Sequence, residues 1–169
     1  KDTGNIEMMS FNWNSGNGVT STVKDFTANY AASVYSDTVY SVSLIGTSEH
    51  GCKDTTNFNI TVHPQPHAQF ITDVVAGCTP LKVKTTNQSF SKDGGALNHG
   101  WNFGNGYQAF VKNDSTIFFN NTNADQIFTI NYQATSQYGC KDSASVAITV
   151  RPKPVAAKQM NNKKKHIEV

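Results

Sequence analysis

Apolar and polar residues alternate over short runs along much of the chain. Tyr40, Val42 and Leu44 fall on one face of an extended segment, and Phe58, Ile60 and Val62 on one face of the next. Leu81, Val83 and Thr85 alternate in the same way. So do Phe128, Ile130 and Tyr132, followed by Val146, Ile148 and Val150. A period of two is that of a strand with one buried face. A Gly-Cys-Lys-Asp turn stands at 51–54 between the first pair of runs and at 139–142 between the last pair, so each pair is predicted to form a hairpin. Asp93-Gly94-Gly95 marks a turn ahead of the strand carrying Trp101 and Phe103. About seven short strands with Gly-rich turns in one unit predict a β-sandwich.

The pattern occurs twice. Trp13-Asn14-Ser15-Gly16-Asn17-Gly18 matches Trp101-Asn102-Phe103-Gly104-Asn105-Gly106. The stretch from Thr47 to Asp54 matches that from Thr135 to Asp142, and the stretch from Ile60 to Ala68 matches that from Ile148 to Ala156. The step is constant without a gap (101 − 13 = 88, and likewise from Cys52 to Cys140 and from Pro64 to Pro152). Three separate blocks in one register identify an internal repeat. The division that follows is 1–64 for a first unit lacking its N-terminal strands, 65–153 for a complete second unit, and 154–169 for the start of a further repeat or a polar, basic tail. Counting back one step, the opening strands of the first unit are expected to precede Lys1. Pro64 and Pro66 at the joint favour an extended, semi-rigid connection.

Composition agrees with an all-β chain. Leu occurs only at Leu44, Leu81 and Leu97 and Glu only at Glu7, Glu49 and Glu168, while Thr, Val, Ile, Phe and Tyr are plentiful. The net charge of +2 is too small to argue for nucleic acid, and the one basic cluster, Lys163 to Lys165, reads as a solvated terminus. No apolar run is long enough to span a membrane.

Trp101-Asn102-Phe103-Gly104-Asn105-Gly106 resembles the Trp-Asp-Phe-Gly-Asp-Gly signature of PKD (polycystic kidney disease) domains, and the following hairpin ending at Ile148-Thr149-Val150 also looks like theirs. The Pro-x-Pro-x-Ala joint and the Gly-Cys-x-Asp turn are similar to those of PKD arrays in large secreted surface proteins of Bacteroidetes. The resemblance covers the second unit fully and the first from about Phe11 onward, with Ser15 in place of the motif Phe. It implies tandem Ig-like (PKD-type) β-sandwiches, an extracellular or cell-surface location, a spacer or adhesion role, and no catalysis. Both Asp positions of the signature are Asn here, at Asn102 and Asn105 and at Asn14 and Asn17. A neutral amide serves a hard cation less well than a carboxylate, so no tight Ca²⁺ site is expected in this loop, and no other cofactor or metal.

Trp13, Trp101 and Phe103 are read as core aromatics rather than sugar platforms, and Gly16, Gly18, Gly104 and Gly106 as turn residues rather than a phosphate loop. The three cysteines read as disulfide formers in an exported chain. Cys78 with Cys140 within the second unit is the simplest pairing, and it leaves the partner of Cys52 outside the chain. The alternative is bonding between neighbouring units, because an Ig-like topology places the two positions at opposite poles. His50, His63, His67, His99 and His166 are scattered and read as surface residues. Asp54 and Asp142 are read as capping their own turns. Asn59, Asn87, Asn113 and Asn120 lie in Asn-x-Ser/Thr sequons, and Thr38, Ser115 and Ser143 lie in Asp-Ser/Thr contexts that resemble the O-glycosylation sites of Bacteroidetes exported proteins; all seven are candidate glycosylation positions. Phe118, Phe119, Tyr107 and Phe110 are candidates for an interface.

The expected function is a non-enzymatic structural or adhesive segment of a large exported surface protein: a spacer, stalk or adhesin, with gliding or attachment as its setting. A substrate-binding accessory module of a secreted hydrolase and a subunit of an extracellular filament are the alternatives. Expected partners are neighbouring repeats of the same chain, surface polysaccharide or protein ligands, and further copies by self-association, with no nucleic acid.

Overall fold

The computed structural model describes residues 9–31 and 36–154. The basic cluster at 163–165, His166 and the start of a third repeat at 155–157 lie outside the described residues. The structure is all-β, and among the described residues no strand pairing crosses from residues 10–62 to residues 70–151.

The first of these regions is a four-stranded antiparallel sheet. Its strands are β1 (Ser10–Asn14), β2 (Thr20–Ser21), β3 (Thr38–Thr47) and β4 (Lys53–Val62), in the order β2-β1-β3-β4. The second region forms two sheets. A three-stranded one, in the order β10-β7-β5, holds β5 (Phe70–Thr72), β7 (Leu81–Asn87) and β10 (Asp114–Phe118). A five-stranded one, in the order β6-β12-β11-β8-β9, holds β6 (Ala76–Cys78), β8 (Leu97–Asn102), β9 (Gln108–Ala109), β11 (Gln126–Ser136) and β12 (Lys141–Arg151).

The sequence repeat is also a repeat of pairing. Trp13 sits opposite Leu44 and Ser21, and Trp101 opposite Tyr132 and Ala109, which are the same positions one step later. β3 with β4 reproduces β11 with β12. What differs is the cover. In the second region the alternation of β7 sends Val83 and Thr85 inward to full burial against Trp101, Phe103, Ile130, Tyr132 and Ile148 of the facing sheet. Phe70 of β5 meets the Trp101 ring edge-on, with centroids 5.0 Å apart. Among the described residues nothing stands over the first sheet in place of β5 and β7. Only the segment Phe26–Tyr30, one step before β10, lies across it. Phe26 is 6.1 Å from Trp13 and Tyr30 4.9 Å from Tyr40. The second pair repeats the contact of Phe118 with Phe128, also at 4.9 Å.

The signature turn is built alike in both regions. The Asn102 carboxamide oxygen accepts from Gly104 N at 2.9 Å, and that of Asn14 from Gly16 N at 2.9 Å. Gly104 and Gly16 have φ of 72° and 75°, and a Cβ on either would strike the backbone of Thr129 or Ser41, so glycine is required twice over.

Candidate functional site

The features that no isolated sandwich would need gather where the first region hands over to the second. β4 ends at Val62 and the chain runs through His63-Pro64-Gln65-Pro66-His67-Ala68. Both prolines and Ala68 are buried. Proline fixes φ and carries no N–H to satisfy, so a buried Pro-x-Pro segment sets a direction with little entropic cost. His67 then bridges Phe90 through two backbone hydrogen bonds of 2.9 and 3.2 Å, which starts the second region.

The surface that receives this segment is the β11–β12 hairpin turn. The His63 ring stacks on that of Tyr138, with centroids 3.4 Å apart and planes parallel to 1°. Its Nδ1 lies 2.8 Å from an Asp37 carboxylate oxygen on the side of the first region. The Asp142 carboxylate accepts from Ala68 N at 2.8 Å. Asp93, in the neighbouring loop, accepts from the Ser91 hydroxyl and from Gly95 N. Those hydrogen bonds hold its carboxyl below the usual range, with a smaller contribution from the nearby charge of His63.

Two expectations are corrected here. His63 is not a plain surface residue, since its side chain is 24% exposed and bridges the two regions. Asp142 does not cap its own turn. That work falls to the Ser136 hydroxyl, which accepts from Cys140 N at 3.2 Å, as Ser48 does from Cys52 N. Asp142 instead ties down the linker, whereas its counterpart Asp54 only meets the neighbouring Thr55 N. The sequence had a usable signal for His63, its place beside the proline joint, and none for Asp142, whose partner Ala68 is far away along the chain.

The cysteines are free, with Cys52 and Cys78 exposed and Cys140 partly buried. The pairing of Cys78 with Cys140 inside the second unit does not fit the fold. Cys78 is the ladder partner of Arg151, at the last residue of β12, while Cys140 precedes the first. A strand of that length separates them by about 30 Å, against a limit of about 7 Å for a disulfide.

Trp101 and Phe103 are buried at 2% and 0%, and Trp13 is half-buried. Phe118 is 0% exposed in the ladder against Leu81, so it belongs to the core and not to an interface. Phe110 at 78%, Phe119 at 58% and Tyr107 at 44% do face outward. Among the sequons, Asn87 and Asn120 are buried, and the Asn120 amide donates to Ala124 O and Val150 O, so neither side chain is available to a glycan. Asn59, Asn113 and Ser143 are exposed, while Thr38 and Ser115 are partly buried. Among the described residues no group of three His, Cys, Asp or Glu side chains is placed to hold a metal. The amide of Asn105 donates to Thr116 Oγ1 at 3.1 Å and to Ile117 O at 3.3 Å, and a carboxylate at this position could not make the second bond.

PKD domains are among the solved structures similar to the chain. The PKD1 domain of Vibrio anguillarum Epp is 22% identical, with a TM-score of 0.45, over 54% of this chain and 100% of that one. The PKD1 domain of the Vibrio cholerae metalloprotease PrtV is 23% identical, with a TM-score of 0.43, over 52% of this chain and 98% of that one. The fibronectin(III)-like modules of Clostridium thermocellum CbhA are 13% identical, with a TM-score of 0.42, over 85% of this chain and 78% of theirs. No protein-family model matches the chain, and neither does any curated protein.

Proposed function

We propose that this chain is a non-enzymatic structural segment, two successive repeats of a spacer or adhesive stalk in an exported cell-surface protein. The observation that carries the reading is the joint. Buried prolines, the stack of His63 on Tyr138 and the hydrogen bond from Ala68 to Asp142 fix how one repeat follows another. A flexible tether would need none of these. In this reading the chain divides into 1–64 and 65–153, with stability a sum of repeat and joint terms, and the lack of strand pairing between residues 10–62 and 70–151 among the described residues supports it. Neighbouring repeats are then the first partners. The outer edge of β4 has no strand beside it among the described residues, whereas β12 is paired there by β6, so this edge is where self-association would start. Single-molecule stretching of the chain tests the reading. Separate unfolding events for the two repeats are expected, and one event for the whole chain would refute it.

A second reading has one observation in its favour. Phe110 borders a shallow surface on the five-stranded sheet where the uncharged side chains of Asn102, Gln108, Asn131, Gln133 and Ser143 gather. An exposed aromatic among amides and hydroxyls suits a neutral sugar, as an accessory module would require. Retention on insoluble cellulose or chitin, lost in Phe110→Ala, would favour it, and no retention removes it.

A further inference from the structure

The two cysteines of the second repeat stand at its two ends, and the joint shows what each end meets. Cys140 belongs to the hairpin turn that receives the preceding repeat, two residues beyond the Tyr138 ring on which His63 stacks. Cys78 lies at the other end, in ladder register with Arg151, and Thr79 N donates to Arg151 O at 3.0 Å. Arg151 is the residue one step after His63. A planar guanidinium stacks on an aromatic ring as an imidazole does, so Arg151 can take the place of His63 against the Tyr138 of a repeat that follows. Were the joint at His63 to recur at Arg151, the register of Cys78 with Arg151 would set Cys78 of one repeat beside the turn carrying Cys140 of the next. The same turn carries Cys52 in the first repeat.

We infer that successive repeats of this chain are joined covalently, by a disulfide from the Cys78 position of one repeat to the Cys140 position of the next. The inference rests on the array reading proposed above. Two independent observations meet in it. One is the separation of Cys78 and Cys140 along β12, which excludes closure within a repeat. The other is the seated joint, whose recurrence at Arg151 would set the exit carrying Cys78 against the turn carrying Cys140. The chemistry is thiol–disulfide exchange with a disulfide donor of an oxidising compartment. One thiolate attacks the donor and releases one of its thiols. The second thiolate attacks the mixed disulfide and releases the other. Two S–H bonds are lost, one S–S bond forms, and the donor carries away two protons and two electrons. Cross-links at every joint would hold the repeats in file under tension.

The test lengthens the full chain by one repeat, inserting a second copy of residues 66–153 between Lys153 and Pro154 so that the step is kept. Cys52→Ser is combined with three arrangements of the remaining cysteines. In the first, Cys78 is kept in the earlier copy and Cys140 in the later. In the second, Cys78 is kept in the later copy and Cys140 in the earlier. In the third, both are kept in the earlier copy alone. Each protein is treated with oxidised glutathione, its thiols are counted by alkylation, and non-reducing peptide mapping identifies any bond. Loss of both free thiols with a Cys78–Cys140 peptide in the first arrangement only is expected. A bond in the third arrangement, or none in the first while near-ultraviolet circular dichroism reports a folded chain, overturns the inference. Stretching of the same proteins separates the two readings. Separate unfolding events without a bond would remove the staple and leave the array.

Discussion

Trp13 and Trp101 occupy one position in one motif and in one register, yet Trp101 is 2% exposed and Trp13 half-buried. Both donate from Nε1 to a backbone carbonyl ten residues on, Val23 O at 3.1 Å and Val111 O at 2.9 Å. The difference lies entirely in cover. In the second repeat β5 and β7 lie over the ring. In the first, Phe26 and Tyr30 do part of that work. Turns and ladders are thus set by residues close in sequence, whereas a core requires the second sheet. The signature position itself adapts. Phe103 stacks on Trp101 and packs at a tilt against Tyr107, while Ser15 is buried through its hydroxyl, which lies 2.7 Å from Val19 O, and through its carbonyl, which accepts from the Tyr30 hydroxyl.

The largest contrast is expected at the tryptophans. Trp101→Ala should cost roughly 3–5 kcal/mol, enough to unfold a marginal domain, and Trp13→Ala no more than about 2 kcal/mol. Differential scanning calorimetry, which registers a transition for each repeat, measures both, and equal losses would break the comparison. Asp142→Ala removes a charged acceptor from Ala68 N and should cost about 1.5–3 kcal/mol, while Asp54→Ala, without a linker to hold, should stay within about 0.5 kcal/mol. Urea midpoints of the second and first repeats report each. Gly104→Ala and Gly16→Ala sharpen the comparison from the other side. The turn is local, so both should lose at least about 1 kcal/mol and by similar amounts.

A smaller effect concerns pH. His99 Nδ1 lies 2.7 Å from the Tyr132 hydroxyl and 3.2 Å from the Asn87 amide nitrogen. An amide nitrogen only donates, so Nδ1 accepts and the ring is neutral. Burial, and then the charge of Lys112, push its pKa below the ordinary value. The unfolded chain therefore holds more protons between the folded and unfolded values. The stabilisation is fully present above the unfolded value, about 6.5, and is lost as pH falls through the folded one. Phe11 stands at the same position in the first repeat. The melting temperature of the second repeat should fall between pH 7 and pH 5, and His99→Phe should flatten that dependence. An unchanged slope in the variant would place its cause elsewhere.

Much of this was legible in the sequence. Alternation located the long hairpins, and the constant step aligned Trp13 with Trp101, because both signals are local. The tertiary assignments were harder to read. Asn87 and Asn120 look like exposed sequons until the fold brings Asn113 to the Asn87 backbone and Val150 to the Asn120 amide. Phe118 and Phe119 are equally apolar, and only the register against Leu81 decides which one turns inward. Asp142 reads as a turn cap because its partner Ala68 is distant in the chain.

Native-state hydrogen exchange compares the equivalent ladders of the two repeats directly. Amides of β3 and β4 should exchange through an opening of lower free energy than those of β11 and β12, in two separate steps, with the covered repeat outlasting the other. A single opening that releases all four strands together would contradict the account of two repeats, each stabilised by its own cover.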